Sequence, residues 1–254
     1  MAAPAHATRR IGLVVVALAL PLLGLILLLV RQDLDVRWEH HPSHFWLVLI
    51  TALVAAVLAY ATGEAALRRG DARLLYVSLG FLSSSGFLAL HALATPGVLL
   101  GASNTGFVIA TPVGVAIGAV FAALSTADFS GDTALRNVRL GKRLRLAVIA
   151  LMLAWGVWSL ASLPPLDRPP QFAEGFGLWL AVPAVLLYGF SAVRYVQLWR
   201  RQPSLMLLAV LSAFVLLAES MVAIAFARNW HLSWWEWHVL LLAAFGLVAL
   251  SAQT

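Results

Sequence analysis

Long apolar runs alternate with short polar breaks along nearly the whole chain, and each run approaches the length of a membrane crossing. The hydrocarbon core of a bilayer takes about 20 predominantly apolar residues per helix. Such runs fall at Ile11–Val30, Phe45–Leu67, Leu74–Thr95, Gly106–Leu124, Leu146–Leu163, Phe172–Val196, Leu205–Ala227 and Trp235–Ser251. They predict an all-α fold: a polytopic bundle of about eight transmembrane helices forming one membrane domain over residues 1–254. The longest polar interval, Ser125–Arg145, is too short to bury a core of its own but long enough for a surface helix. The first run has the basic start and apolar stretch of a signal peptide. It is long for one, and no clean small-x-small cleavage site precedes Arg31-Gln32-Asp33, so it reads as an anchor helix.

Composition agrees and narrows the class. With 62% hydrophobic residues, 11% charged residues and a mean hydropathy of +0.91, the chain lies far from soluble domains. The absence of cysteine removes thiolate metal sites, iron–sulfur clusters, disulfides and c-type haem attachment together.

Cations orient the predicted helices, because lysine and arginine are retained in cytoplasmic loops. Arg9 and Arg10; Arg68, Arg69 and Arg73; Arg136, Arg139, Lys142, Arg143 and Arg145; and Arg194, Arg200 and Arg201 all fall at one side. They make thirteen of the seventeen cations. The other side holds Arg31, Arg37, Arg168 and Arg228 beside Asp33, Asp35, Glu39, Asp167, Glu174 and Glu236. Both termini, Thr254 included, are therefore expected in the cytoplasm, in a bacterial inner membrane. The net charge of +6 is an orientation signal, with no call for nucleic acid as a partner. The basic segment Ser125–Arg145 is expected against anionic lipid or a cytoplasmic partner domain.

Several features carry packing alone. Gly114 with Gly118, and Gly80 with Ser83, Ser84, Ser85 and Gly86, let neighbouring helices approach closely. Trp38, Trp46, Trp158, Trp230, Trp234, Trp235 and Trp237 gather toward the outer interface, as amphipathic indoles do.

The histidines point to chemistry. Six of the seven, His40, His41, His44, His91, His231 and His238, fall at the predicted outer surface, and only His6 lies opposite. His91 lies a turn inside the third run and shares a stripe with Gly80, Ser84 and Phe87, a face that should meet other helices. Polar groups at that depth cost a few kcal/mol, about 2.5–3.5 for a charge, unless partnered. Glu219 has no cation within a turn on its helix, and the run after it carries His238; the two runs should be antiparallel neighbours, so Glu219 and His238 can meet.

Two ligand sets are predicted. In one, His44, His91 and His238, with Glu219 or His41 as a further group, hold a divalent metal, zinc or copper. In the other, His91 and His238 hold a b-type haem. Trp234 and Trp235 would wall the pocket. The metal is preferred, because more than two histidines and a buried acid are present. No His-x-x-x-His pair lies within one membrane run; His40 and His44 have that spacing, but Pro42 is expected to disrupt the turn between them.

Other chemistries fare worse. The only lysine, Lys142, falls in an inner loop, which excludes a retinal Schiff base. Zinc hydrolases of the ceramidase and progestin-receptor superfamily combine histidines with an acid and a serine, as Glu219-Ser220 with His91 and His238 would. Their histidine pair within one helix is missing here. A transporter would place polar groups on both sides of the midplane, whereas these stop in the outer half.

The runs His40-His41-Pro42-Ser43-His44-Phe45-Trp46, Leu90-His91-Ala92-Leu93-Ala94-Thr95-Pro96-Gly97 and Ser233-Trp234-Trp235-Glu236-Trp237-His238 resemble the N-terminal membrane domains of bacterial class III adenylate/guanylate cyclases, and of histidine kinases. The resemblance implies a sensory input module, with catalysis in a cytoplasmic partner domain beyond residue 254 or in trans, and a possible homodimer. A metal-dependent membrane enzyme and a b-type haem electron carrier are the alternatives.

Overall fold

The computed structural model describes residues 3–169 and 176–252, with side chains from residue 12 onward. The expected helix start Phe172, the acid Glu174 and the terminus Thr254 lie outside the described residues, as do the side chains of His6, Arg9 and Arg10.

The described residues form an all-helical bundle: α1 (Ala3–Val30), α2 (His41–Arg69), α3 (Ala72–Ala92), α4 (Thr105–Val108), α5 (Ala110–Leu124), α6 (Gly131–Leu160), α7 (Phe176–Arg201), α8 (Leu205–Phe226) and α9 (Leu232–Ser251). Seven of them are long and apolar enough to cross a membrane. Their outward faces are apolar too: α7 exposes 81% of Trp179 and 68% of Leu186. Continuous apolar surface of this kind is satisfied by lipid, and helices that close their own backbone bonds can live there. The chain is a multi-pass membrane protein.

Most helices start where a polar side chain takes up amides that the first turn leaves free. His40, Asp71, Asn104 and Ser204 accept from the amides of Ser43, Leu74, Phe107 and Leu207. Polar caps thus carry the helices past the limits of their apolar runs. α2 begins at His41, not Phe45, and Pro42 does not disrupt its first turn. Proline there lacks only an amide that would have no helical partner, and its fixed φ suits a helix start. Further along, α3 stops at Ala92 and the chain turns through Leu93–Thr95, while α6 starts at Gly131, inside the interval read as loop.

The run Gly106–Leu124 is split at Ile109 into α4 and α5. Pro112 has no amide to donate to the carbonyl four residues back, so the helical ladder breaks there. α5, at 15 residues, is the short apolar helix. Together with α4 it nevertheless runs the length of α3 in the opposite sense. At one end His91 bonds to the Phe107 carbonyl; at the other, Arg73 donates to the Ser125 carbonyl at 3.1 Å.

These two contacts define a histidine end and an arginine end for the bundle. α3 is its axis: 72% of its apolar window is buried, against 6% for Gly12–Val30 of α1. α2 and α5 flank α3, and α7, α8 and α9 continue the layer. Glycine sets the α3–α5 distance. A Cβ on Gly114 would lie 2.5 Å from the Phe87 Cβ and 2.9 Å from the Ser83 carbonyl oxygen. This is the close backbone approach that small residues permit between membrane helices.

At the histidine end two loops are tied together. The Trp38 amide donates to the Trp230 carbonyl at 2.7 Å, and the Leu232 amide to the Val36 carbonyl at 3.1 Å. Asp35, buried to 2% exposure, takes the Ser233 amide at 2.8 Å and the Ser233 hydroxyl at 2.9 Å. The first turn of α9 is therefore capped by a carboxylate from the α1–α2 loop, a charge-assisted bond to a helix N-terminus.

Candidate metal centre

Three helices deliver three imidazoles to one point. His44 stands in the first turns of α2, His91 in the last turn of α3 and His238 in the second turn of α9. All three are buried, at 2%, 6% and 2% exposure. One ring nitrogen from each lies within 4.8 Å of the others, the one group of three or more potential ligands among the described residues.

Each ring is aimed by its second nitrogen. His91 donates from Nδ1 to the Phe107 carbonyl at 3.1 Å, and His238 from Nδ1 to the Trp234 carbonyl at 3.0 Å. Carbonyls only accept, so both rings carry their proton on Nδ1 and present a bare Nε2 lone pair to the centre. The third ring, His44, has Nδ1 2.8 Å from Thr95 Oγ1 and Nε2 3.0 Å from His238 Nε2. A hydroxyl donates or accepts as required, so Thr95 suits either tautomer of His44.

This arrangement can be satisfied in two ways. A proton on His44 Nε2 serves His238 but leaves His91 Nε2, which is buried and has no hydrogen-bond partner, bare. A metal ion serves all three lone pairs at once. Zinc or copper binds imidazole nitrogen at about 2.0–2.1 Å, which at tetrahedral angles spaces the ligand atoms about 3.4 Å apart. The His44 and His238 nitrogens, 3.0 Å apart, are already near that spacing, and all three ligand atoms lie within 4.8 Å of one another. Orientation of each ring by a carbonyl or hydroxyl on its far nitrogen is the usual support for histidine ligands.

Tryptophans close the site on one side. Trp237 stacks on His238 with centroids 3.4 Å apart, and Trp234 lies 4.3 Å from His238 and 4.9 Å from His44. Trp235 is farther out, 5.9 Å from His238 and 6.2 Å from His44, and donates from its indole to the Trp38 carbonyl. His44 and His91 also face a cavity of about 690 Å³, which Trp234 and Trp237 help to line. Trp230 lines it with its backbone in the left-handed region, φ 61°. For a bulky residue this costs about 1–2 kcal/mol. The bond from the Trp38 amide holds it there, with the ring 5.5 Å from His44.

Two expected ligands lie elsewhere. Glu219 is buried on α8, but its electrostatic neighbour is Glu236, which in turn faces Asp35 and points toward Gly24 of α1. Two residues along a helix is about 200° of rotation, so Glu236 and His238 leave α9 on nearly opposite sides. The acid belongs to the Glu236 side. His41 pairs with Glu39 at 3.1 Å and packs on Trp230 at 5.0 Å. Arg37 and then His41 hold the Glu39 carboxyl below its ordinary range, which keeps that charge, and His41 with it, at the surface. His40 caps α2, and His231 bonds to the Asn229 carbonyl. Thr95, Trp237 and Trp230 are the site residues that the sequence did not single out. Thr95 follows the helix of His91 by one turn, and Trp237 immediately precedes His238; those adjacencies were the only signals.

We expect Glu219→Gln to leave metal stoichiometry unchanged and to raise thermal stability slightly, because it removes one of two facing carboxyls. Metal analysis alongside a melting curve checks this; a fall in bound metal would return Glu219 to the ligand set.

No protein-family model, curated protein or solved structure matches this chain.

Proposed function

We propose that the chain is a sensory input domain of the bacterial inner membrane that binds a divalent metal, zinc or copper, through His44, His91 and His238. The observation that supports this most directly is the trio of imidazoles whose far nitrogens are already engaged, with His91 Nε2 buried and unpartnered. A cation would satisfy all three inward nitrogens at once, whereas the His44–His238 hydrogen bond leaves His91 Nε2 without a partner.

In the same reading the membrane is crossed eight times, with α4 and α5 making one crossing. The support is that this pair covers the same span as α3, from Phe107 beside His91 to Ser125 beside Arg73. Both ends of the chain then fall on the arginine side, which the positive-inside bias places in the cytoplasm. The metal would lie at the outer face, and α9, which carries His238, would lead from it toward a cytoplasmic signalling partner. Reporter fusions at Thr254 should be accessible only from inside; an external reporter would overturn the orientation.

A b-type haem between His91 and His238 fits less well. The His44 ring lies 5.4 Å and 4.8 Å from those rings, and the Trp237 indole 5.6 Å and 3.4 Å, where a porphyrin would have to lie. One observation does favour a second reading, a metal-dependent membrane enzyme. Three protein ligands beside a cavity are the pattern of catalytic zinc, which keeps one position open.

Elemental analysis and a visible spectrum of detergent-purified protein test the metal. About one zinc or copper per chain without a Soret band is the expected result. A Soret band, or neither signal after metal is supplied, would remove this reading.

A further inference from the structure

The cavity beside the histidines is much larger than a metal-bound water requires. Its volume of about 690 Å³ falls within the range of small-molecule sites, roughly 300–1,000 Å³, whereas a water takes about 30 Å³. The lining is mostly apolar: Ile109, Pro112 and Ile224 share it with Trp230, Trp234 and Trp237, beside the polar Ser103 and Asn229. Such surfaces suit a flat, apolar body.

Charge defines the rest of the occupant. A divalent ion on three neutral imidazoles would leave two positive charges at the floor. Arg228 is exposed and lines the same cavity, and its guanidinium makes no side-chain hydrogen bond or ion pair with any described residue. No aspartate or glutamate is among the described lining residues. Asp35, in the α1–α2 loop, is held by Ser233, Glu39 is held by Arg37 and His41, and Glu236 of α9 has Glu219 as its electrostatic neighbour. The lining therefore offers positive charge and aromatic faces, with no acid among the described lining residues to neutralise the charge.

We propose that this cavity binds a small organic carboxylate with an aromatic or similarly apolar body. The carboxylate completes the coordination of the metal, the body lies against Trp230 and Trp234, and Arg228 attracts the anion at the cavity edge. This rests on the metal reading, because His44 and His91 form the floor. A sensor built this way responds to the carboxylate only when metal is bound.

The test uses the full chain in nanodiscs, loaded with Co²⁺ and titrated with phenylacetate. Co²⁺ in a three-histidine site gives visible d–d bands that move when a fourth ligand changes. Phenylacetate should shift them saturably, at least about tenfold more tightly than acetate, which lacks the apolar body. Arg228→Gln, at an exposed position, should weaken phenylacetate about two- to fivefold while leaving the Co²⁺ spectrum itself intact. Trp230→Gly, which the left-handed backbone there accepts, should bring phenylacetate close to acetate. Equal affinities for phenylacetate and acetate, or unchanged bands in a protein that has bound Co²⁺, would overturn the carboxylate proposal and leave the metal centre standing. Failure to bind Co²⁺ at all would overturn both.

Discussion

His238→Ala is expected to abolish stoichiometric metal binding, lowering affinity by more than about 100-fold while the bundle remains folded. Loss of a group that merely orients a ligand already costs about 10–100-fold, and His238 would be a ligand itself. It cannot be replaced from nearby, because it lies under Trp237 with only His44 and His91 within reach. His44→Ala and His91→Ala should behave alike. The control is His231→Ala, which removes an imidazole from the same end of the protein but outside the trio, and should leave metal binding unchanged. Thr95→Val should fall between, at about tenfold, since the hydroxyl only orients His44. Calorimetric titration with zinc, beside circular dichroism to verify folding, separates these cases. Full occupancy in His238→Ala would sink the site.

Gly114→Leu is expected to prevent accumulation of folded protein. Even an alanine Cβ would stand 2.5 Å from Phe87 and 2.9 Å from a backbone oxygen of Ser83, and the latter has no rotamer by which to escape. Overpacking of that order costs about 1–3 kcal/mol for added methylenes, and leucine brings several. Because α5 and α3 would part at the level of Phe87, one turn from His91, the milder Gly114→Ala should lower both the melting temperature and metal affinity. Gly12, with open space around its Cβ position, is the matched control: Gly12→Ala should alter neither. A folded, metal-competent Gly114→Leu would show that α3 and α5 do not meet this closely.

The helices were legible because hydrocarbon thickness imposes a length and composition that few other constraints mimic. Their ends were less so, since His40 and Asp71 extend α2 and α3 by capping, and a cap works through side-chain geometry beyond the apolar run. The α4–α5 break illustrates the same limit: Pro112 was visible, but whether it starts, kinks or splits a helix depends on where the preceding chain is held.

Within the site, depth and cost brought His44, His91 and His238 together correctly, as buried imidazoles on three neighbouring helices must find partners. Depth said nothing about rotation. Glu219 and His238 are on adjacent antiparallel helices, and the electrostatic neighbour of Glu219 is Glu236 instead. The phase of a helix about its axis is set by packing on both sides, here partly by α1 against α8 and α9, and no local pattern encodes it.

The grip of Asp35 on Ser233 has a mechanical consequence. It pins the start of α9 to the α1–α2 loop, so His238, about one and a half turns on, sits near a fulcrum. The remainder of this 20-residue helix, about 30 Å long in all, is the long arm of a lever. A pull at His238 of about 0.5 Å, acting about 7.5 Å from the pin, becomes about 1.8 Å of sideways travel at Ser251. Cutting the pin with Asp35→Asn would let the same pull slide the helix instead. Distances between spin labels at the far ends of α8 and α9, measured with and without zinc, would separate swing from slide.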